Sequence, residues 1–203
     1  TLAATVIKNL EKRQMEGYYC PTVEDAEKLA FSFLKDGQTV SFGGSMTLEE
    51  TGMLTALRHD PSIHLIDRST AKTPDETKKM YHDALSSDVY FMSTNAITTG
   101  GELVNIDGTG NRVAALIYGP ETVVILAGMN KIAANVDEAL SRVHNVATAQ
   151  NCIRLDKKTP CAITGACADC LSPDCICNQV VITRRSGIKG RIKVLLIGES
   201  FGY

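Results

Sequence analysis

The feature that most constrains the fold is an uninterrupted apolar run, TVVILAG, at residues 122–128. A run of β-branched residues with no polar alternation is typical of a strand that is covered on both faces. RIKVLLIGES, near the end of the chain, has the same character. Strands of this kind occur in parallel sheets that lie between layers of helices. The two runs therefore predict a parallel sheet.

Strand and helix candidates alternate along the rest of the chain. The other predicted strands are QTVSFGG (38–44), IHLIDR (63–68), VYFMST (89–94) and QVVITRR, and residues 96–110 are predicted as a hairpin or loop. The predicted helices are the opening segment to about Gly17, VEDAEKLAFSFLK with Thr22 as N-cap, LEETGMLTALRHD with a Thr47–Glu50 capping box, DETKKMYHDALS with Pro74 in its first turn, NRVAALIYG, and residues 135–149.

Strands joined by helices of about a dozen residues form right-handed crossovers in one sheet. The pattern predicts an α/β fold with a mostly parallel sheet and helices on both faces. Because no linker or composition break interrupts the pattern before residue 150, we expect one domain over residues 1–203. The cysteine-rich stretch at residues 159–177 is predicted as an insertion, since apolar strands resume after it.

The charge balance excludes some classes of partner. The chain has 21 Lys and Arg against 23 Asp and Glu, for a net charge of −2. Nucleic acids and anionic membranes attract strongly basic proteins, so neither is expected as a partner. No apolar run has membrane-spanning length, and the first residues lack the apolar core of a signal peptide. We therefore expect a soluble cytoplasmic protein.

The stretch SFGGSMTLEETG (41–52) is the first candidate site. Gly43 and Gly44 let backbone N–H groups approach a ligand, and a helix N-terminus favours negative charge. The hydroxyls of Ser45 and Thr47 can add hydrogen bonds. The stretch fits an anion-binding turn and fits equally well a plain strand-to-helix turn without a ligand.

The second candidate site is TNAITTGGELVNIDGTGNR (94–112), a polar stretch between two predicted buried strands. Loops of this length in compact domains tend to be functional. GTGNRV matches the dinucleotide fingerprint G-x-G-x-x-G only in part, because its last position is Val113, so a Rossmann dinucleotide site is rejected. The candidate ligand-binding residues are Asn95, Thr98, Gly100, Gly101, Asn105, Asp107, Gly108, Asn111 and Arg112.

Two ionisable residues near these loops could take part in chemistry. Glu102 lies in a Gly/Thr turn, where a desolvated carboxylate would act as a nucleophile or general base. A solvated turn glutamate is an equal alternative. Lys131 follows the strand TVVILAG at the sheet edge where such folds bind ligands, so it could pair with a phosphate or carboxylate.

Five of the seven cysteines occur within 17 residues with the spacing C-x5-C-x2-C-x4-C-x-C. In a reducing cell, such a cluster more often binds a metal than forms disulfides. Four thiolates would hold an iron–sulfur cluster, with 4Fe–4S favoured, or a zinc ion. Plain thiols are the third alternative, and the four histidines are not predicted as ligands. The candidate metal ligands are Cys161, Cys167, Cys170, Cys175 and Cys177.

Residues 86–132, together with FGGSMTLEETG (42–52), resemble the LUD domain, the lactate-utilisation protein family. The segment beginning TPC at Thr159 and the ending IGESFGY resemble the short members of that family. The resemblance implies a modified Rossmann-like fold similar to ribose-5-phosphate isomerase, glucosamine-6-phosphate deaminase and the CoA transferases. It also implies a role in oxidising L-lactate to pyruvate, in a complex whose partner subunits carry iron–sulfur clusters.

Three functional hypotheses follow. The favoured one is an accessory subunit of lactate oxidation, with a metal centre at the cysteines and a pocket for a small anion. The second is an isomerase- or CoA-transferase-like enzyme that uses Glu102 on a phosphorylated or CoA-linked substrate. The third is a non-enzymatic interaction protein stabilised by zinc. Each is compatible with a homo-oligomer.

Overall fold

The computed structural model describes residues 1–203, and its main sheet has six strands. All five neighbouring pairs of strands are parallel. In spatial order the strands are β1 (Glu16–Cys20), β10 (Ile192–Ile197), β7 (Thr122–Gly128), β4 (Val89–Met92), β2 (Thr39–Phe42) and β3 (His64–Ile66). The predicted α/β fold with a mostly parallel sheet is confirmed.

A second sheet of four short strands lies beside the first. Its order is β8 (Ile132–Ala133), β5 (Ala96–Thr98), β6 (Leu103–Asp107) and β9 (Gln179–Thr183). β5 and β6 form the hairpin that was predicted for residues 96–110, and β9 pairs antiparallel with β6. The strand predicted as QVVITRR therefore joins this smaller sheet. The separation into two sheets was not predicted, because the pattern of each strand does not specify its neighbour.

Helices cover both faces of the main sheet, and others pack against the smaller sheet or beside it. The helices are α1 (Leu2–Lys12), α2 (Val23–Ser32), α3 (Met46–Glu50), α4 (Met53–His59), α5 (Pro74–Ala84), α6 (Asn111–Ile117), α7 (Val136–Arg142), a π-helical segment (Val143–Thr148), α8 (Ala149–Arg154) and α9 (Pro160–Thr164). Short 3₁₀ turns occupy Arg68–Thr70 and Met129–Lys131. None of the helices has the length and apolar character needed to cross a membrane.

The central strand β7 shows why its sequence is apolar throughout. Ile125 faces a core formed with α1 and α6, while Val124 and Leu126 face a core formed with α2, α3 and α4. All three side chains have no solvent exposure. Successive side chains of a strand point to opposite faces, so burial on both faces requires apolar residues at every position.

The first helix is shorter than predicted. α1 ends at Lys12, and Gln14 adopts a left-handed conformation with φ of 61°. The chain then turns back as β1, which the sequence did not predict because EGYYC has little apolar periodicity. Gly17 permits this close packing, since a Cβ there would lie 3.0 Å from Leu10 Cδ1 and 3.1 Å from Ile7 Cα.

The predicted helix LEETGMLTALRHD is two helices in the structure. Gly52, with φ of 73°, separates α3 from α4. The N-cap of α3 is Ser45, whose hydroxyl accepts a hydrogen bond from Leu48 N at 3.3 Å. Thr47 does not cap the helix as predicted, because its buried hydroxyl is bonded to other parts of the chain.

The order of the strands reverses between β2 and β4. From β2 the chain moves outward to β3 and then returns to the other side of β2 as β4. In open α/β sheets, ligands bind at such a reversal, outside the carboxyl ends of the strands. Gly43 and Ser93 follow directly after β2 and β4, so the fold places both candidate loops at this edge.

Candidate functional site

A cleft of about 450 Å³ lies at the carboxyl ends of β2 and β4. Five cationic side chains and a single carboxylate contribute to its lining. Pockets whose walls carry charge of one sign attract ligands of the opposite sign. The cleft is therefore suited to an anion. Its charged lining residues are Arg68, Arg112, Lys131, Arg154, Lys157 and Asp107.

Lys131 is the most deeply buried cation of the cleft, with 3% of the residue exposed. It follows β7 in the 3₁₀ turn Met129–Lys131. Its ammonium nitrogen lies 2.8 Å from Thr47 Oγ1 and 3.0 Å from Ser93 Oγ. No carboxylate lies within ion-pair distance of it.

The surroundings of Lys131 disfavour its charged form. Burial, the largest cause, acts together with the nearby Arg142 and Arg112 to lower the pKa of Lys131 to about 7, while Glu50 opposes this shift. Removing an ammonium from water without a counter-ion is costly, so a buried lysine releases its proton readily. An anion in the cleft would supply the missing opposite charge.

Arg112 forms the wall of the cleft. Its guanidinium donates hydrogen bonds to Asp107 Oδ1 (2.9 Å), Ser93 O (2.9 Å), Asn105 Oδ1 (2.6 Å), Asn95 Oδ1 (2.8 Å) and Ile106 O (3.0 Å). A guanidinium has five N–H donors, and all of them are engaged here. Arg112 therefore holds β4, β6 and the loop between them in position, and it has no free donor for a ligand.

Three cations at the rim of the cleft have free capacity. Arg68 contacts Tyr81, with Nη1 3.1 Å from the hydroxyl and the guanidinium over the ring. Arg154 bonds Tyr203 Oη at 2.7 Å, and Lys157 lies beside it in the lining. None of the three is paired with a carboxylate. They extend the positive charge from Lys131 to the rim.

Most of the predicted ligand-binding residues line this one cleft. Gly43 and Asn105 lie behind the wall, where Asn105 accepts a bond from Arg112 and a Cβ at Gly43 would lie 2.9 Å from Arg112 Cγ. The predicted residues in the lining are Gly44, Ser45, Thr47, Asn95, Asp107, Gly108, Asn111, Arg112 and Lys131. The loops at two separate sequence positions thus meet at the sheet edge.

Thr98, Gly100, Gly101 and Glu102 do not line the cleft. The β5–β6 hairpin carries its tip away from the sheet edge, so these residues reach the end of α1 instead. Glu102 forms an ion pair with Arg13 and a short hydrogen bond with Thr98 Oγ1. This arrangement ties the hairpin to α1 and leaves Glu102 without access to a ligand in the cleft.

Sequence reasoning missed several lining residues. Ser93 follows β4 directly and Arg68 follows β3, so the rule that ligands bind at the carboxyl ends of strands would have identified both. Arg154 and Lys157 carry no such signal, because they reach the cleft from α8 and the loop after it.

Four of the five clustered cysteines lie near one another, since Cys175, Cys167 and Cys170 all interact electrostatically with Cys177. Cys175 Sγ and Cys177 Sγ lie 3.0 Å apart, and Cys167 Sγ lies 3.6 Å from His144 Nδ1. Cys161 is 7% exposed and packs in a small apolar cluster with Cys152. The histidines were not predicted as ligands, and the structure adds that the π-helical segment brings His144 against Cys167.

This arrangement does not present a finished four-ligand centre. No group of three or more His, Cys, Asp or Glu side chains is placed to hold one metal ion. Burial, followed by a hydrogen bond to Cys175, raises the pKa of Cys177 to about 12, and a bound metal ion would have to displace this proton. The iron–sulfur or zinc centre at Cys161, Cys167, Cys170, Cys175 and Cys177 stays a prediction.

Several solved structures are similar to this chain. A DUF162 family protein from Deinococcus radiodurans is 10% identical, with 97% of this chain and 96% of that one covered and a TM-score of 0.54. Ribose 5-phosphate isomerase A from Methanocaldococcus jannaschii is 19% identical, with 56% and 54% covered and a TM-score of 0.35. The eIF2B delta protein from Chaetomium thermophilum is 19% identical, with 59% and 51% covered and a TM-score of 0.37.

The family of the chain follows from its sequence. No curated protein matches it. Residues 3–197, nearly the whole chain, match the family model of the LUD domain. The full-length likeness to the DUF162 protein shows the same fold. The chain belongs to the LUD domain family.

Proposed function

We propose that this LUD-domain chain binds a small carboxylate, L-lactate or its oxidation product pyruvate, as an accessory subunit of a lactate-oxidising system. The observation that carries the proposal is the buried, unpaired Lys131 in a cleft with four further cations and one carboxylate. The lactate context comes from the LUD family. We expect the electrons of the oxidation to pass to partner subunits that carry iron–sulfur clusters.

The free energy of the buried lysine favours an anionic ligand. A charged group taken out of water is stable only when it is paired and hydrogen-bonded. Thr47 and Ser93 supply hydrogen bonds to Lys131 but no opposite charge. A carboxylate in the cleft would supply it, and Arg68 at the rim would add a second cation without breaking any ion pair.

The sole carboxylate of the lining does not compete with the ligand. Asp107 lies within ion-pair distance of Arg112, with Oδ1 2.7 Å from Nη2, and its Oδ2 accepts a bond from Val113 N at 3.0 Å. Its charge is therefore already compensated. The cations that remain available, Lys131 and those of the rim, set the sign of the ligand.

A second candidate function is an isomerase- or transferase-like enzyme that acts on a phosphorylated small molecule. The lowered pKa of Lys131, about 7, favours this alternative, because a general acid or base works best near the ambient pH. The role predicted for Glu102 in such an enzyme is not supported by its position at the hairpin tip. Lys131 would take the proton-transfer role instead.

Isothermal titration calorimetry of the purified chain tests the proposal. We expect L-lactate to bind and lactamide, its neutral amide, to bind at least about tenfold more weakly, a difference of about 1.4 kcal/mol. Lys131→Met should lose this discrimination. Lys189→Met is the matched control, since Lys189 is exposed in the loop before β10 and should retain it.

Inorganic phosphate serves as the third ligand in the same titration. Binding of phosphate but not L-lactate would favour the isomerase- or transferase-like alternative. Equal binding of L-lactate and lactamide, or unchanged binding by Lys131→Met, would contradict a site that selects anions through this lysine.

A further inference from the structure

We propose that Lys131 is a nucleophile that captures a 2-oxo acid in the cleft as a covalent imine. The inference rests on the proposed function, because the carboxylate of the 2-oxo acid would occupy the same anion site. It adds a chemical step that simple anion binding does not require, and it distinguishes pyruvate from lactate, which has no carbonyl to react.

The hydrogen bonds around Lys131 leave its reactive electrons free. Thr47 donates its own proton to Phe201 O at 3.3 Å, and Ser93 donates to Thr94 O at 3.4 Å. Both hydroxyls therefore accept from Lys131 Nζ rather than donate to it. A neutral amine has two N–H groups, and both are used in these bonds. The remaining lone pair belongs to a side chain that lines the cleft.

The segment after β10 restricts the space around the amine. A Cβ at Gly202 would lie 2.5 Å from Thr47 Oγ1 and 3.2 Å from Lys131 Nζ, so only glycine allows the backbone to pass here. Gly202 N also donates to Glu50 Oε2 at 2.6 Å, and Asn130 Nδ2 donates to Gly202 O at 3.1 Å. These contacts keep Lys131 shielded from water, as its 3% exposure shows.

The electrostatic surroundings are those of a nucleophilic lysine. Lysines that attack carbonyl groups are activated by desolvation or by neighbouring cations. Lys131 has both, since burial is the largest cause of its lowered pKa and Arg142 and Arg112 come next. A pKa of about 7 leaves a large fraction of the amine neutral at physiological pH.

The step balances without any further reactant. The lone pair of Lys131 Nζ attacks the ketone carbon, and the carbonyl oxygen takes a proton to give a carbinolamine. The nitrogen then loses its proton, the C–O bond breaks, and the oxygen leaves as water while the C=N bond forms. The hydroxyls of Thr47 and Ser93, which lie beside Nζ, are placed to carry these protons. No oxidant or reductant is consumed.

Reductive trapping tests the imine on the wild-type chain. The protein is incubated with pyruvate and sodium cyanoborohydride, which reduces an imine to a stable secondary amine, and digested peptides are mapped by mass spectrometry. We expect the reduced pyruvyl adduct on the peptide that contains Lys131. Lys131→Met and Lys131→Arg should lack it, and Lys189→Met should retain the adduct at Lys131.

The outcomes separate this inference from the anion site. If L-lactate binds in calorimetry but pyruvate leaves no adduct at Lys131, the imine is refuted and the anion site stands. If neither L-lactate nor pyruvate binds and no adduct forms, both proposals fail. Adducts spread over exposed lysines, at equal levels in wild type and Lys131→Met, would also overturn the inference.

Discussion

The cleft and the cysteine segment (residues 159–177) are neighbouring regions that differ in burial and regular structure. The cleft wall consists of buried polar groups in a hydrogen-bond network centred on Arg112, in which only Asn105 Nδ2 lacks a partner. The segment has one short helix, α9, and exposes Ile163 at 86% and Leu171 at 100%. Buried polar networks hold one geometry, whereas exposed loops adapt to what they contact.

The two regions also differ in what determines their conformation. The cleft is formed by the carboxyl ends of β2, β4 and β7, so the topology of the sheet fixes it before any ligand arrives. The cysteine segment is held mainly by local bonds, such as Ser172 Oγ to Lys158 O at 3.1 Å. We therefore expect mutations in the cleft wall to lower the stability of the fold. Mutations in the cysteine segment should instead change the binding of a metal or partner.

The largest effect is expected for Arg112→Met. It leaves Asp107 as a buried carboxylate without its partner and orphans the carbonyl of Ser93. Breaking a buried ion pair by removing one partner costs about 3–5 kcal/mol. Urea denaturation should show this loss, and Arg154→Met at the rim, as a control, should cost less than about 1 kcal/mol. Equal losses of unfolding free energy in the two variants would mean that the Arg112 network does not stabilise the cleft more than the rim does.

Lys131→Met should lose anion binding and gain stability. The folded-state pKa of Lys131, about 7, is below its value in the unfolded chain, so the cost of burying the amine grows as the pH falls from about 10 to 7. Methionine removes this cost but loses the hydrogen bonds to Thr47 and Ser93. We expect a net gain of about 1–3 kcal/mol at pH 7, by analogy with replacements of buried ionic groups.

Denaturation at pH 6.5 and 9.5 tests the sign of this effect. The advantage of Lys131→Met over wild type should shrink at the higher pH, where the wild-type amine is neutral in the folded state and closer to neutral in the unfolded state. The charged groups that face Lys131 are Arg142, Arg112 and Glu50. A constant difference at both pH values would contradict the lowered pKa.

Glu102→Gln should have a modest effect. Its ion pair with Arg13 is partly exposed, with side-chain exposures of 19% and 22%, and such pairs contribute up to about 1 kcal/mol. Thermal unfolding should show a slightly lower midpoint, while the affinity for L-lactate stays unchanged. A loss of L-lactate binding in this variant would support a functional role for Glu102, which its position at the hairpin tip does not.

The smallest effect on the metal-free fold is expected for Cys175→Ser combined with Cys177→Ser. Both residues lie in the irregular segment, where substitutions change stability by about 0.5 kcal/mol. If the segment holds a 4Fe–4S cluster or zinc, elemental analysis of anaerobically prepared protein should show that this variant loses the metal. Cys20→Ser, as a control, should retain it, because Cys20 lies in the core of the main sheet and not in the segment. A wild-type chain free of iron and zinc would contradict the predicted centre.

The sequence predicted five of the six strands of the main sheet, but not β1, the separation into two sheets or the side-chain partners. In an apolar strand such as β7, every residue predicts burial. The glycine and hydroxyl residues after β2 indicate the carboxyl edge of the sheet, where ligands bind in such folds. Partners distant in sequence carry no such pattern. The pairing of Glu102 with Arg13, and the contact of Cys167 with His144, depend on how separate elements pack.

The burial of Lys131 illustrates the same limit. Its position after a strand is visible in the sequence, but its lack of an ion-pair partner is not, and neither is the pairing of Asp107 with Arg112. That pairing arises from the turn between β6 and α6, which the sequence marks only as a polar Gly-rich stretch. The sequence named Lys131 as a candidate for an anion site, but its burial and its lack of an ion pair are visible only in the structure.

Proton uptake on binding tests the central claim most directly. A carboxylate next to Lys131 raises the pKa of the amine, so at pH 7.5 each binding event should take up protons from the buffer. Calorimetry of L-lactate in Tris and in HEPES should then give different heats for the wild type, whereas Lys131→Met, which should lose anion binding, should give no binding heat in either buffer. Identical heats in both buffers for the wild type, with binding intact, would show that Lys131 is not the residue that holds the anion.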